Sequence, residues 1–224
     1  MALLYCVGAN LTDNQFLYID MVVLVPLTIL SARMGPYPTL TKHLPTETLF
    51  HFPVILSVIT AALIQLSFQV FFFMHIRKVD WYSPPWNAGG EAVDEDNWLS
   101  YEDIALFQIS NFQYMATCCA FLVAYPFREP FYKNIWFLVT LTISFVLNVL
   151  FIALPASNPW CALFDKLDYP DEGQFTTKIV IGIVLNTLIT FTAEKFIAGK
   201  FTYWYEQRQQ LKVNDKFNAN MQKQ

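Results

Sequence analysis

The chain has 224 residues, of which 55% are hydrophobic, 17% aromatic and only 14% charged, with a formal net charge of −4. This composition excludes a soluble globular domain and a disordered chain, and it predicts an all-α integral membrane protein. We expect no nucleic-acid partner for a chain of this charge and hydrophobicity.

A short apolar run, Ala2–Ala9, opens the chain but is too short to cross a bilayer. It has neither a basic leader nor a cleavage site of small residues, so it does not have the pattern of a secretory signal. We expect it to be the outer end of a further helix, which predicts that the chain is a fragment of a longer protein.

Five apolar segments follow, each close to the roughly 20 residues that a membrane-spanning helix needs. They are Gln15–Ser31, Phe50–Met74, Ile104–Ala124, Ile135–Leu154 and Lys178–Ala193. None shows the period-two alternation of a barrel wall, so we expect five transmembrane helices plus the end of a sixth. Residues 1–194 are therefore predicted to form a transmembrane domain.

The first span contains the most informative residues, because Asp20 is the only charged side chain between Phe16 and Ile29. A carboxylate at the centre of a membrane helix costs roughly 2.5–3.5 kcal/mol on insertion scales, so such a residue normally faces a partner, a cavity or a substrate. Asp13 is seven residues away, which places both carboxylates on one helix face about 10.5 Å apart along the axis. Pro26 should kink this helix or admit polar groups.

Polar residues of the other spans are predicted to act mainly as interhelical glue. They are Gln65, Gln69, Ser110, Asn111, Gln113, Asn148 and Asn186. Lys178 and Glu194 lie near span ends, from which their side chains can reach the interface.

Basic residues predict the orientation, since ten Lys and Arg fall in segments 32–49, 125–134 and 194–224, against four on the other side. The first side should be cytosolic. Acidic residues fall mostly in the outer loops 75–103 and 155–177, where they either concentrate cations or are simply solvated. Residues 195–224 alternate aromatic and basic side chains, which predicts a cytosolic interfacial tail that contacts anionic lipid.

Catalytic and metal-binding patterns are not found. The four cysteines and three histidines have no metal-ligand spacing, and neither a phosphorylation motif Asp-Lys-Thr-Gly-Thr nor a nucleotide-binding loop occurs. We therefore predict no catalytic residue, no metal and no cofactor bound by this chain.

Several short motifs occur in an order that resembles one family. They are Asn10-Leu11-Thr12-Asp13, Gln15-Phe16-Leu17-Tyr18-Ile19-Asp20, Leu44-Pro45-Thr46, Ser110-Asn111-Phe112-Gln113-Tyr114 and Pro126-Phe127-Arg128-Glu129-Pro130 with the following Phe131-Tyr132-Lys133-Asn134. Together they resemble the C-terminal membrane region of a P-type ATPase of the fifth class, B branch, the polyamine-transporting ATPases of late endosomes and lysosomes.

The resemblance implies that this chain supplies the sixth to tenth helices of a ten-helix membrane domain and works with the missing N-terminal part of the same pump. It implies that Asn10, Asp13 and Asp20 contact a transported polyamine or other cation, while ATP and Mg²⁺ bind in domains outside this chain. Phe16 and Tyr18 offer apolar or cation–π contact to a substrate between the two carboxylates.

Two alternatives stay open from the residues themselves. The chain could be a free-standing five-span protein that binds or regulates partners, or a small channel or carrier built around Asp13 and Asp20. The second alternative requires oligomerisation, because five helices with a severed sixth enclose little space.

Overall fold

The structure is a computed structural model that describes residues 2–6, 8–38, 52–82, 100–122, 128–171, 173–202, 204–205 and 207–208. Several predicted features lie outside these residues. They are the Leu44-Pro45-Thr46 motif, the acidic residues at 91–96, Glu172, Pro126 with Phe127, and the tail beyond residue 208.

The described residues form helices in the order α1 to α7. Helix α1 spans Ala2–Tyr5, and α2 spans Asp13–Ala32 with a π-helical middle at Ile19–Leu24. The remaining helices are α3 (Phe52–Ile76), α4 (Tyr101–Phe121), α5 (Ile135–Ala153), α6 (Pro159–Ala162) and α7 (Gln174–Lys195), which continues as a π-helix at Phe196–Phe201. A 3₁₀ turn at Phe131–Lys133 precedes α5.

Four of these helices are long and apolar enough to cross a membrane: α2, α3, α5 and α7. An all-α membrane domain therefore fits the described residues. Helix α4 covers residues 104–121 of the predicted third span but is not among the four, so the structure does not confirm five spans.

The lower hydropathy of α4 follows from its position at the centre of the bundle. It packs against α3, α5, α7 and the π-helical part of α2, and only Tyr114 and Phe121 along its length are exposed. A helix surrounded by protein does not need a lipid-compatible surface, so it can bury polar side chains that a peripheral span would present to lipid.

Side-chain caps position the starts of α4 and α5. Ser100 Oγ accepts a hydrogen bond from the backbone N–H of Asp103 at 3.1 Å, and Asn134 Oδ1 accepts from the N–H of Phe137 at 3.2 Å. Asn134 also donates through Nδ2 to the carbonyl of Leu30 at 3.0 Å. The start of α5 is therefore tied to the end of α2.

The predicted effect of Pro26 is confirmed, because a polar group from another helix enters α2 there. Proline has no N–H to donate to the carbonyl of Val22, four residues earlier. Ser144 of α5, which is buried, donates its hydroxyl to that carbonyl at 3.3 Å. The N–H of Val25, the residue directly before Pro26, reaches back to the carbonyl of Asp20, which is the π-helical spacing.

A buried lysine closes the other end of α5. Lys166 is 8% exposed and donates through Nζ to the carbonyl of Ile152 at 3.3 Å and to that of Leu154. Its ammonium also lies 5.5 Å from the ring centre of Phe151. A cation at a helix C-terminus is favourable because the last carbonyls are unsatisfied and carry partial negative charge. Burial lowers the pKa of Lys166.

The prediction that Glu194 reaches the interface is wrong. Glu194 is 9% exposed and accepts a hydrogen bond from Ser57 Oγ at 2.5 Å, so it joins α7 to α3 inside the bundle. The carboxyl group can be buried because the Ser57 hydroxyl on the neighbouring helix replaces part of the hydration that burial removes.

Candidate functional site

Helix α2 has two faces with different chemistry. Asp13, Leu17 and Asp20 are exposed on one side, whereas Gln15 and Tyr18 are buried on the other. The structure therefore brings the two predicted carboxylates onto one accessible face, with an exposed leucine between them.

Asp20 lies where the helix changes from α to π geometry. Its carboxylate accepts no hydrogen bond or ion pair from the described residues, and its charge acts on the Tyr114 hydroxyl of α4. π-helical turns inside a helix are frequent at functional sites because they shift the following side chains relative to the helix face. An exposed, unpaired carboxylate on a membrane helix is a strong candidate for binding a cation.

Tyr114 also borders a cleft of about 510 Å³ between α2, α3 and α4. Its polar lining includes Thr28 from α2, Gln65 and Gln69 from α3, and Gln113 from α4. The cleft places neutral hydrogen-bonding groups beside the acidic face of α2. It offers carbonyl and hydroxyl oxygens to a cation but no charge of its own.

The predicted role of the glutamines as interhelical glue is confirmed. Gln69 Nε2 donates to Gln113 Oε1 at 2.9 Å, and Gln113 Nε2 donates to the backbone carbonyl of Gln65 at 3.1 Å. Gln65 Nε2 donates to Thr117 Oγ1 at 2.9 Å. Asn148 differs from the glutamines, because its Nδ2 donates to the backbone carbonyl of Ser144 in its own helix and not to another helix.

Tyr18 lies in an aromatic cluster on the buried face of α2. Its ring centre is 5.2 Å from that of Phe164 and 6.1 Å from those of Phe107 and Trp160, with edge-on or tilted rings. Such geometry is typical of stabilising aromatic packing. The structure thus separates Tyr18 from the two carboxylates, and its contact with a substrate stays a prediction.

The two other predicted site residues are half-buried. Asn10 precedes α2, and its Oδ1 accepts a hydrogen bond from the backbone N–H of Leu11 at 3.0 Å. Phe16 lies on the turn between Asp13 and Asp20. Both are near the acidic face, and their predicted contacts with a cation also stay predictions.

One polar cluster was not found by the sequence analysis. Gln15, which is 0% exposed, donates through Nε2 to Asp103 Oδ2 at 2.9 Å and to the carbonyl of Phe164 at 3.0 Å. We call these three groups the Gln15 junction. It joins α2, α4 and the segment after α6.

The assignment of Glu102 and Asp103 to a solvated outer loop is wrong. Both lie in the first turn of α4, at 0% and 1% exposure. Tyr82 donates its hydroxyl to Glu102, and burial together with this carboxylate raises the pKa of Tyr82 to about 12. Charge alone assigns both residues to the anionic loop, whereas Ser100, three residues before Asp103, has the spacing of a helix N-cap and is the signal that places them in α4.

No family model matches the chain, but several known proteins are similar to it in sequence. The Vacuolar cation-transporting ATPase YPK9 of Saccharomyces cerevisiae is 28% identical over 212 residues, which are 95% of this chain and 14% of that protein. The human Polyamine-transporting ATPase 13A3 is 26% identical over 88% of this chain. The mouse Polyamine-transporting ATPase 13A2 is 32% identical over 63% of it.

The chain spans only a small part of these relatives, namely 14% of the yeast protein, 17% of human 13A3 and 12% of mouse 13A2. The aligned residues nevertheless make up most of this chain. The resemblance seen in the motifs is thereby confirmed: the homologues of this chain are P-type ATPases of the 13 family.

Proposed function

We propose that this chain is the C-terminal membrane portion of an ATP-driven polyamine or cation transporter and that it contributes part of the cation-binding site. The observation that supports the proposal is the exposed acidic face of α2, where Asp13 and Asp20 lie on one side of a span that is otherwise apolar. Three of the homologues reported above carry polyamine or cation transport in their names.

In this proposal Asp13 and Asp20 each attract one ammonium group of an extended cation. Leu17, and Phe16 beside it, contact the apolar chain between the ammonium groups. Asn10 lies at the entrance of the face and supplies a neutral amide. Tyr18 acts by holding α2 against the aromatic cluster.

A cysteine at Leu17 tests the acidic face directly in the full-length protein. With native thiols replaced, we expect Leu17→Cys to react faster with a cationic than with an anionic methanethiosulfonate reagent, because two carboxylates concentrate cations there. Spermine should slow the cationic reaction, and the Asp20→Asn exchange should reduce both the preference and the protection, since only Asp13 then remains on this face.

Leu63→Cys on α3 provides the matched control, because Leu63 is equally exposed on an apolar face. It should show neither charge preference nor spermine protection. Equal rates for the two reagents at position 17, or protection by spermine at both positions, would contradict a cation site on α2.

We propose further that ATP and Mg²⁺ act in domains outside this chain. The 224 residues expressed alone, in a monodisperse form, should therefore form no acid-stable phosphoenzyme with labelled ATP and show no ATP turnover. The full-length protein is the positive control. The proposal would be contradicted if the 224 residues alone hydrolysed ATP and if a substitution within them abolished this activity.

The C-terminal tail is proposed to face the cytosol, with the protein in the membrane of late endosomes or lysosomes. Phe52 of α3 stacks on Tyr205 at 5.6 Å, and the Arg208 guanidinium lies 4.3 Å from the Trp204 ring centre. Aromatic rings with an adjacent cation are typical of a membrane interface. Single cysteines at Ala92 and Ala219 should react with impermeant reagents from opposite sides, and reaction from one side only would refute this orientation.

A further inference from the structure

The Asp103 carboxyl is buried without a compensating cation. Asp103 is 1% exposed. Its Oδ2 accepts a hydrogen bond from Gln15 Nε2 at 2.9 Å, whereas its Oδ1 has no hydrogen-bond partner among the described residues. The ion pair found within the described part of the chain joins Lys133 to Glu129, on other elements. An ionised carboxylate in such a place loses far more hydration energy than one amide hydrogen bond returns.

The titratable groups around Asp103 mostly add negative charge. Glu102 on the same helix and Asp165 after α6 both repel an ionised carboxylate. Tyr169 also faces Asp103, and burial raises its pKa well above the ordinary value, so that its phenol stays neutral. Burial first, opposed by the Gln15 hydrogen bond, raises the pKa of Asp103 to about 7.

The amide of Gln15 has a fixed orientation at this junction. Its Oε1 accepts from the backbone N–H of Thr12 at 3.2 Å, while its Nε2 donates both to Asp103 and to the carbonyl of Phe164. A flipped amide would place its oxygen against two acceptors and its NH₂ group against a donor. Oδ2 of Asp103 is therefore already an acceptor, which leaves Oδ1 as the position for a proton.

We propose that Asp103 is a proton-binding site whose occupancy holds the Gln15 junction together. The neutral acid fits among aromatic rings and accepts the Gln15 hydrogen bond at no charge cost. Loss of the proton leaves a buried negative charge beside Glu102 and Asp165. The Gln15 hydrogen bond becomes stronger, but the cost of burying the charge is larger, so the contact between α2, α4 and the segment after α6 loosens. The site does not depend on the transport function proposed for the acidic face.

Infrared difference spectroscopy of the full-length protein in nanodiscs detects the proton itself. We expect the carbonyl band of a protonated, buried carboxyl at pH 5, and we expect the part of it that is lost by pH 9 to be weaker in Asp103→Asn, which keeps the buried Glu194. Asp168→Asn is the matched control, because the Asp168 carboxylate is exposed and accepts from the backbone N–H of Ala156 at 2.9 and 3.0 Å. A band missing from the wild type, or kept at its full wild-type intensity in Asp103→Asn, would overturn the proposal.

Thermal stability supplies a second readout with a defined sign. The native state binds the Asp103 proton up to about pH 7, whereas the unfolded chain releases it near pH 3.8, so this group makes stability fall as the pH rises between those values. The unfolding midpoint of the wild type should drop by about 5–10 °C more than that of Asp103→Asn between pH 5 and pH 8. Equal slopes, or an Asp103→Asn protein that fails to assemble, would contradict a neutral acid at this position.

Gln15→Leu tests the same site without changing the carboxyl. Its removal takes away the hydrogen bond that favours the ionised form, so the infrared band should persist to a higher pH than in the wild type. A band lost at the same or a lower pH in Gln15→Leu would contradict the arrangement.

Discussion

The Asp20→Asn exchange in the full-length transporter is expected to weaken the apparent affinity for polyamine-stimulated ATP turnover at least tenfold. An ammonium 4 Å from a carboxylate gains about 4 kcal/mol at an effective dielectric constant of about 20, before the cost of desolvation. Only about 1.4 kcal/mol of net loss is needed for a tenfold change. Expression should stay nearly normal, because Asp20 is exposed and has no ion pair within the described residues.

Asp13→Asn should have a smaller effect, because Asp13 lies at the start of α2, where water competes with the protein for the cation. Asp168→Asn is a charge-matched control from another segment and should leave the polyamine dependence unchanged. The measurement is ATP turnover over a range of spermine concentrations. An unchanged concentration dependence in a well-expressed Asp20→Asn protein would end the substrate-site hypothesis.

Gly182→Ala is expected to lower the stability of the bundle, although alanine favours helices more than glycine does. A Cβ atom built on Gly182 would lie 2.3 Å from the ring of Phe72, which is buried at 2% exposure between α3 and α7. Helix propensity returns about 1 kcal/mol, whereas overpacking costs about 1–3 kcal/mol and more when a rigid ring must move. We expect a net loss of about 2 kcal/mol and an unfolding midpoint lower by about 4–8 °C.

Two variants separate the clash from other effects of the Gly182→Ala substitution. Val184→Ile adds a methylene on the exposed side of α7 and should leave the midpoint unchanged. Phe72→Leu alone should destabilise, yet combined with Gly182→Ala it should cost less than the sum, because the smaller side chain leaves room for the new methyl group. Strict additivity in this cycle would show that the two residues do not meet.

The sequence predicted the helical membrane architecture because long apolar segments have few other solutions in a bilayer. It also predicted the effect of Pro26 and the interhelical role of Gln65, Gln69 and Gln113, since a missing N–H and a buried amide each require a partner. It did not predict that Ser144 would supply the partner of Val22. Which side chain on a distant segment fills such a position depends on helix rotation, which no local pattern specifies.

The candidate site was predictable in part for the same reason. Periodicity placed Asp13 and Asp20 on one face, and the structure shows both exposed there. It did not distinguish that face from the one bearing Gln15 and Tyr18, because the hydrophobic character of the span is nearly uniform. The predicted exposure of Glu102, Asp103 and Glu194 is wrong. The local sequence around a charged residue at a span end is the same whether its side chain faces water or a polar group on a neighbouring helix.

The central position of α4 has a consequence for how the chain enters the membrane. A segment with two acids in its first turn and several amides along its length partitions poorly from the translocon into lipid when it is alone. Its Gln113 is bonded to α3, which is synthesised earlier, whereas its closest packing is with α7, which is synthesised later. Integration of α4 should therefore remain incomplete until α7 emerges, so that α7 acts as the step that commits α4 to the bilayer.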